Sequence, residues 1–183
     1  MENYMKDYNF LKEGNLVSLR LSDEEDIPVI VGWRNKDRVR HNHVYREDFT
    51  VDGQKAWKEK NIDTGKAVQF IICEKRPDRR IPRPVGVVHF HSIDKGQGSA
   101  EYGIYIGEDD ALGKGYASEA ADLALEYAKE TLGLKKVILR AFASNVTAIK
   151  SYVHAGFVKT EDVPEVLCSD GQKDDMIIME KSL

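Results

Sequence analysis

Gly113-Lys114-Gly115, followed by Tyr116-Ala117, and a later Asn145 and Tyr152 seven positions apart are the residues whose types and spacing point to chemistry. Glycines at a helix start let the main chain approach a ligand closely. The first turn of the helix that follows offers unpaired N–H groups and a partial positive charge, which suits a phosphate. Seven residues is about two helical turns, so Asn145 and Tyr152 share one side of a second helix. Each feature alone has a plainer reading: a simple helix-opening turn, an N-cap (Ser144 or Asn145), a core aromatic. The competing phosphate motifs fail on spacing. A Walker A loop reads Gly-x-x-x-x-Gly-Lys-Ser/Thr, but five residues separate Gly107 from Gly113, and Gly115 follows Lys114. A dinucleotide fingerprint requires Gly or Ala where Ser118 stands. Taken together, the glycine turn and the Asn–Tyr helix describe a protein that holds a phosphorylated carrier and presents a phenol to its reacting end.

These residues need elements to position them. Residues 16–21 alternate as a first strand, and Ser22 with Glu25 forms a capping box for a helix through Ile27, Ile30, Val31 and Trp33, with Pro28 in its early turns. Residues 50–60 read as a second helix. Residues 67–73 and 85–92 read as antiparallel strands around a polar loop, 76–84, and residues 1–13 as an N-terminal arm. Residues 100–106 form a central strand, with Glu101, Gly103 and Tyr105 on one face and Tyr102, Ile104 and Ile106 on the other. Ala117, Ala120, Ala121, Ala124 and Ala128 follow at helical spacing, widened by Leu125 and Leu132, and Gly133 ends that helix. Residues 136–142 form a strand feeding the Asn145–Tyr152 helix, which Gly156 ends, and residues 174–180 form the last strand. The order predicts one domain over residues 1–183, a mixed α/β sheet with helices on both faces.

The two-part pattern, strongest from Glu101 to Phe157, resembles the GNAT superfamily of acetyl-CoA-dependent N-acetyltransferases. Residues 107–120 are most similar to the branch holding ribosomal-protein N-terminal and amino-sugar acetyltransferases. The family often carries Gln or Arg just before the glycine turn, where this chain has Asp110, Ala111 and Leu112. The resemblance implies a GNAT fold with a mostly antiparallel central sheet and acetyl-CoA as co-substrate. Gly113, Lys114, Gly115, Tyr116 and Ala117 would hold its pyrophosphate, and the main chain of Ile104, Tyr105 and Ile106 its pantetheine amides. Asn145 would bond the pantetheine arm. Tyr152 would protonate the departing thiolate, which a phenol of pKa ~10 can do at neutral pH. An aliphatic ammonium has a pKa of ~10.4, so about one molecule in 2,500 is a free nucleophile at pH 7 and a proton acceptor is needed. Glu101 is the first candidate base, with His89 and His91 next; the alternative is a salt-bridged strand-end carboxylate. Trp33, Arg34 and Asn35 begin the segment that usually shapes the acceptor pocket, and Arg34, Arg38 and Arg40 could meet a ligand phosphate.

The expected reaction is direct attack by a primary amine in a ternary complex. No Ser/His/Asp or Cys/His order suggests an acyl-enzyme. The acceptor is a small amine or amino sugar first and a protein N-terminus second; a non-catalytic acyl-CoA sensor is the reading from another class. The charge sum of 27 basic against 31 acidic residues, −4, argues against a nucleic-acid partner. The absence of a long apolar run argues against a membrane span, and the start Met1-Glu2-Asn3-Tyr4 lacks a signal-peptide pattern, so a cytoplasmic monomer or homodimer is expected. Cys73 and Cys168 read as buried thiols rather than a disulfide. The pairs His41/His43 and His89/His91 lack cysteine or acidic partners at metal-site spacing, so no metal is expected.

Overall fold

The computed structural model describes residues 9–76 and 82–183. Eight strands form a single sheet in the order β1-β2-β3-β4-β5-β6-β8-β7. They are β1 (Lys12–Glu13), β2 (Val17–Leu21), β3 (Val68–Glu74), β4 (Arg83–Asp94), β5 (Ser99–Ile106), β6 (Lys136–Phe142), β7 (Val158–Leu167) and β8 (Lys173–Ser182). The helices are α1 (Ile27–Arg34), α2 (Asp37–Arg40), α3 (Val51–Asn61), α4 (Tyr116–Glu130) and α5 (Val146–His154). Every neighbouring pair is antiparallel except β5 and β6, whose parallel pairing requires the α4 crossover.

Both faces of the central strands are buried, and alternation sorts their side chains. Phe70 and Ile72 of β3, with Val88 and Phe90 of β4, join the core under α4, to which Ala120, Ala124 and Ala128 contribute. Ile71, Cys73 and Val87 point the other way and pack with Ile30 and Trp33 of α1. These three alanines are fully buried, which lets that helix lie close on the sheet. Such continuous burial explains why β3 reads Val-Gln-Phe-Ile-Ile-Cys rather than as a polar–apolar alternation.

The feature that matters for function is the β5–β6 pair. It is registered only from Ser99↔Lys136 to Glu101↔Ile138, after which the strands part. On its other edge β5 stays paired with β4 as far as Ile106. The far half of β5 therefore has no strand partner on its β6 side, and a cleft opens there.

Several expectations need correction. The capping box lies one residue later than Ser22/Glu25: Asp23 and Asp26 form it, on a short 3-10 turn over Glu24–Asp26. Arg20 draws Asp26 into that place with two hydrogen bonds of 2.7 and 2.6 Å in a nearly dry setting. Arg83 and Pro84, assigned to a loop, already belong to β4; residues 77–81 of that loop lie outside the described residues. The same holds for residues 1–8 of the arm, whereas Lys12–Glu13 adds the edge strand β1. Strand β7 was not anticipated, because it is almost wholly exposed and carries no apolar alternation. Cys73 and Cys168 are free thiols buried in separate clusters.

Candidate active site

Gly113 and Gly115 both adopt left-handed backbone, φ 71° and 80°, which a side chain would strain. Gly115 is the N-cap of α4 and has no side chain to offer its first turn; its carbonyl accepts from Glu119 N–H, one full turn on. A Cβ at Gly113 would meet nothing within 4 Å. The turn thus presents free N–H groups to open space, the arrangement an anion needs.

Beneath it Glu74 is buried, and its carboxylate accepts a 2.6 Å hydrogen bond from Tyr116 Oη and one of 2.8 Å from Arg76 Nε. Burial alone would raise the Glu74 carboxyl; these bonds and the nearby cations outweigh it and hold it below its usual range. Tyr116 therefore anchors the turn through its hydroxyl. The acidic run before the turn is neutralised residue by residue. Asp109 pairs with Lys36 and Arg38, and Glu108 with Arg83. Asp110 accepts two bonds from Arg83, which push it down to about 2. Of the three residues just before the turn, Asp110, Ala111 and Leu112, the one charged side chain is thus half of an ion pair.

A cavity of about 480 Å³ runs from this turn along the unpaired edge of β5 to α5. Ile104, Tyr105 and Ile106, the turn residues 113–117, Asn145, Tyr152 and Glu101 all line it. Asn145 is the N-cap of α5: its Oδ1 accepts from Ala148 N–H at 3.2 Å, and its Nδ2 donates to Asn42 at 2.7 Å. One amide hydrogen remains for a ligand. Tyr152 packs edge-on against Tyr102 and Phe157, and burial pushes its phenol up to about 12. Its hydroxyl makes no hydrogen bond among the described residues, so the proton is held and unshared.

A second cavity of about 270 Å³ lies between the sheet and α1 and α3. The two cavities share His43, His89, His91 and Tyr105. The His89 ring lies over Gly103, where a Cβ would come within 2.7 Å of it, and it stacks on His91 at 5.5 Å. Burial, with neighbouring His and Arg34 charges, pushes His89 down to about 3 and His43 to about 4, so both are neutral near pH 7. A group at about 3 is too weak a base to hold a proton from an ammonium, which removes His89 from the candidates for that task. Glu101 does not line the second cavity; it sits 3.8 Å from His91 Nε2 and 3.3 Å from Arg140. It reaches the junction through His91.

Of the three residues expected to shape the acceptor pocket, Arg34 lines this second cavity and Trp33 and Asn35 do not. Trp33 is buried, donates Nε1–H to Glu108 at 2.8 Å, and fills the space a side chain at Gly107 would need. Asn35 clamps the main chain of Phe49 through both ends of its amide. Arg38 and Arg40 are likewise engaged, with Asp109 and with Asp48. Gln54, Trp57 and Asn61 of α3 line the pocket instead. Their i, i+3, i+7 spacing on one helix face was the available signal. Among the described residues, no group of three His, Cys, Asp or Glu could hold a metal ion, and no helix is long and apolar enough to cross a membrane.

Comparison with known proteins gives this arrangement a context. A model of the acetyltransferase (GNAT) domain matches residues 17–158. The chain is 30% identical over 161 residues to spermidine N(1)-acetyltransferase of Vibrio cholerae, covering 87% of this chain and 89% of that one. It is 33% identical over 95 residues to the uncharacterized N-acetyltransferase p20 of Bacillus licheniformis, 52% of this chain, and spans about half (51%) of that relative's length. Among solved structures, spermidine N-acetyltransferase from Vibrio cholerae in complex with CoA and spermine superposes with a TM-score of 0.82 at 23% identity, covering 92% of this chain and 96% of that one, a likeness of fold.

Proposed function

Because the chain belongs to the GNAT acetyltransferase family, we propose that it moves an acetyl group from acetyl-CoA to the primary amine of a small molecule or amino sugar, by direct attack in a ternary complex. The observation that carries this reading is the meeting of two cavities at His43, His89, His91 and Tyr105. One runs back to a helix N-terminus suited to pyrophosphate, and the other is a separate chamber for an acceptor. Two substrates can thus occupy the protein at once and touch at one point.

The chemistry assigns each group a step. The N–H groups at the start of α4 hold the pyrophosphate, and the open edge of β5 pairs with the pantetheine amides. The amine, arriving from the smaller cavity, attacks the thioester carbonyl, and β5 main-chain N–H groups stabilise the oxyanion. The C–N bond forms as the C–S bond breaks, and the thiolate takes the Tyr152 proton. The amine's own proton leaves through His91 and Glu101 or through water. The relative named for spermidine supports a small-amine acceptor over a protein N-terminus.

The test is release of coenzyme A thiol across amino sugars, polyamines, amino acids and N-terminal peptides. Turnover confined to small amines supports the proposal. Turnover confined to peptides reassigns the acceptor to a protein N-terminus, and acetyl-CoA binding without any turnover points to a sensor.

A further inference from the structure

Among the described residues, the second cavity is lined by one formal cation and by no acid. Arg34, in the last turn of α1, is 8% exposed and lines it. Its guanidinium has no hydrogen bond and no ion pair among the described residues, and Nη1 is fully buried without a partner. Among the described residues two aromatic faces attend it, Phe49 at 4.4 Å and Tyr105 at 5.9 Å. The other arginines of this region are all matched: Arg38 by Asp109, Arg40 by Asp48, Arg46 by Asp170 and Asp174. No Asp or Glu lines the cavity, and the remaining polar side chains there include Gln54 and Gln69, whose amides have no hydrogen bond among the described residues. A buried guanidinium left without an anion is costly, and the usual resolution is a counter-charge.

Building on the acetyl-transfer reading above, we propose that the acceptor brings that counter-charge: it is an amine that also carries an oxyanion, a carboxylate or a phosphate, which seats on Arg34. The fork of Arg34 suits either group, since both accept two parallel N–H bonds. Gln54 and Gln69 then serve the acceptor's neutral polar groups. A polyamine fits this chamber poorly, because its second cation would approach Arg34 with no carboxylate to receive it. Selection thus works by attraction of one class and repulsion of another.

The experiment uses matched amines with and without an anion: 4-aminobutyrate against butylamine, and glucosamine 6-phosphate against glucosamine, with spermidine as the cationic extreme. Thiol release at saturating acetyl-CoA gives kcat/KM for each. At least one anionic member should exceed its neutral partner by about tenfold or more, the scale of a charge-assisted hydrogen bond. Which pair responds separates carboxylate from phosphate. Arg34→Met should collapse that ratio toward one through KM, and Arg34→Lys should restore part of it; acetyl-CoA titration of each variant shows that it is folded. Equal or better turnover of butylamine, glucosamine or spermidine overturns the proposal, as does a ratio unchanged in Arg34→Met. The same compounds are titrated calorimetrically into the coenzyme A complex. Binding of an anionic member that depends on Arg34, without turnover of any amine, upholds the anion site while overturning acetyl transfer. Absence of both binding and turnover overturns the two together.

Discussion

Tyr152 carries the sharpest consequence at the scale of single residues. Its phenol sits at about 12, held there by burial, and so remains protonated across the working range of pH. Tyr152→Phe keeps the ring against Tyr102 and Phe157 and removes only the proton. Single-turnover acetyl transfer should fall by about 10²–10⁴-fold with little change in acetyl-CoA affinity; wild-type single-turnover chemistry in this variant would leave Tyr152 as packing alone. Glu101 has a different signature, because it lies 3.8 Å from His91 and is also held by Arg140. Glu101→Gln should lower kcat/KM most near pH 7, by roughly 10²-fold, with the gap narrowing toward pH ~10 as the amine loses its proton unaided. A loss equal at every pH assigns Glu101 to binding instead. Both residues were singled out on the sequence, Tyr152 through the family resemblance and Glu101 by its place on the central strand, and both line the larger cavity. The lining of the second cavity was harder to read: Trp33, Arg34 and Asn35 are consecutive, and a helix sends consecutive residues to different sides, so the three do not share one chamber. Trp33 went to the core, Asn35 to the Phe49 loop, and Arg34 alone to the cavity.

Among the elements, the glycine turn and α4 work as a unit whose backbone handedness and open approach can be separated by experiment. Gly113 and Gly171 have similar left-handed φ, 71° and 82°, and a Cβ at either would meet nothing within 4 Å. Only Gly113 faces the larger cavity. Each alanine substitution should cost about 1 kcal/mol of stability through the same backbone strain. Gly113→Val should in addition weaken acetyl-CoA binding at least about tenfold, because the branched side chain fills the space before the helix N-terminus, whereas Gly171→Ala should leave that affinity within about twofold. Equal effects on binding from both sites, measured calorimetrically, would remove the turn from the ligand. Legibility of the elements followed burial. Strand β6 was read to its residue limits because Val137, Leu139 and Ala141 recur at every second position of an apolar run and are buried, while Lys136, Ile138 and Arg140 between them are more exposed. Strand β7 was missed because its pairing with β8 is carried by main-chain bonds while Lys159, Glu161 and Asp162 face solvent and Pro164 interrupts the run. The β5–β6 divergence, which makes the cleft, leaves no mark in side-chain pattern at all, since it is a matter of which backbone groups go unpaired.

The molecule as a whole holds two neutral histidines at the meeting point of its cavities, and that ties its stability to pH. His89 and His43 sit at about 3 and 4 in the fold, against ~6.5 in an unfolded chain. For such a depressed group the unfolded chain binds the extra proton, so the fold is fully stable above pH ~6.5 and loses stability as pH falls toward the folded values. Each histidine contributes a slope approaching 1.4 kcal/mol per pH unit, so the two together approach about 2.7 between pH ~5.5 and ~4.5. The carboxylates held low by their cations, Glu74 and Asp110 among them, have depressed folded values as well, but their stabilisation is lost only lower, as pH falls below the unfolded carboxylate value of ~4. The two contributions therefore separate along the pH axis. Denaturant unfolding from pH 7.5 to 4.5 should show a falling midpoint through the upper window, and His89→Leu, which keeps an apolar body beside Gly103, should flatten the slope by about one proton. His43 should account for the other, in the same sense, because it faces Arg34 and packs edge-on against Tyr105. A midpoint flat down to pH ~5 in the wild-type protein would mean that water reaches both rings and that the junction of the cavities is wet, in which case His89 returns as a candidate base. A slope that His89→Leu halves fixes the junction as dry, and leaves His91 and Glu101 as the exit for the amine's proton.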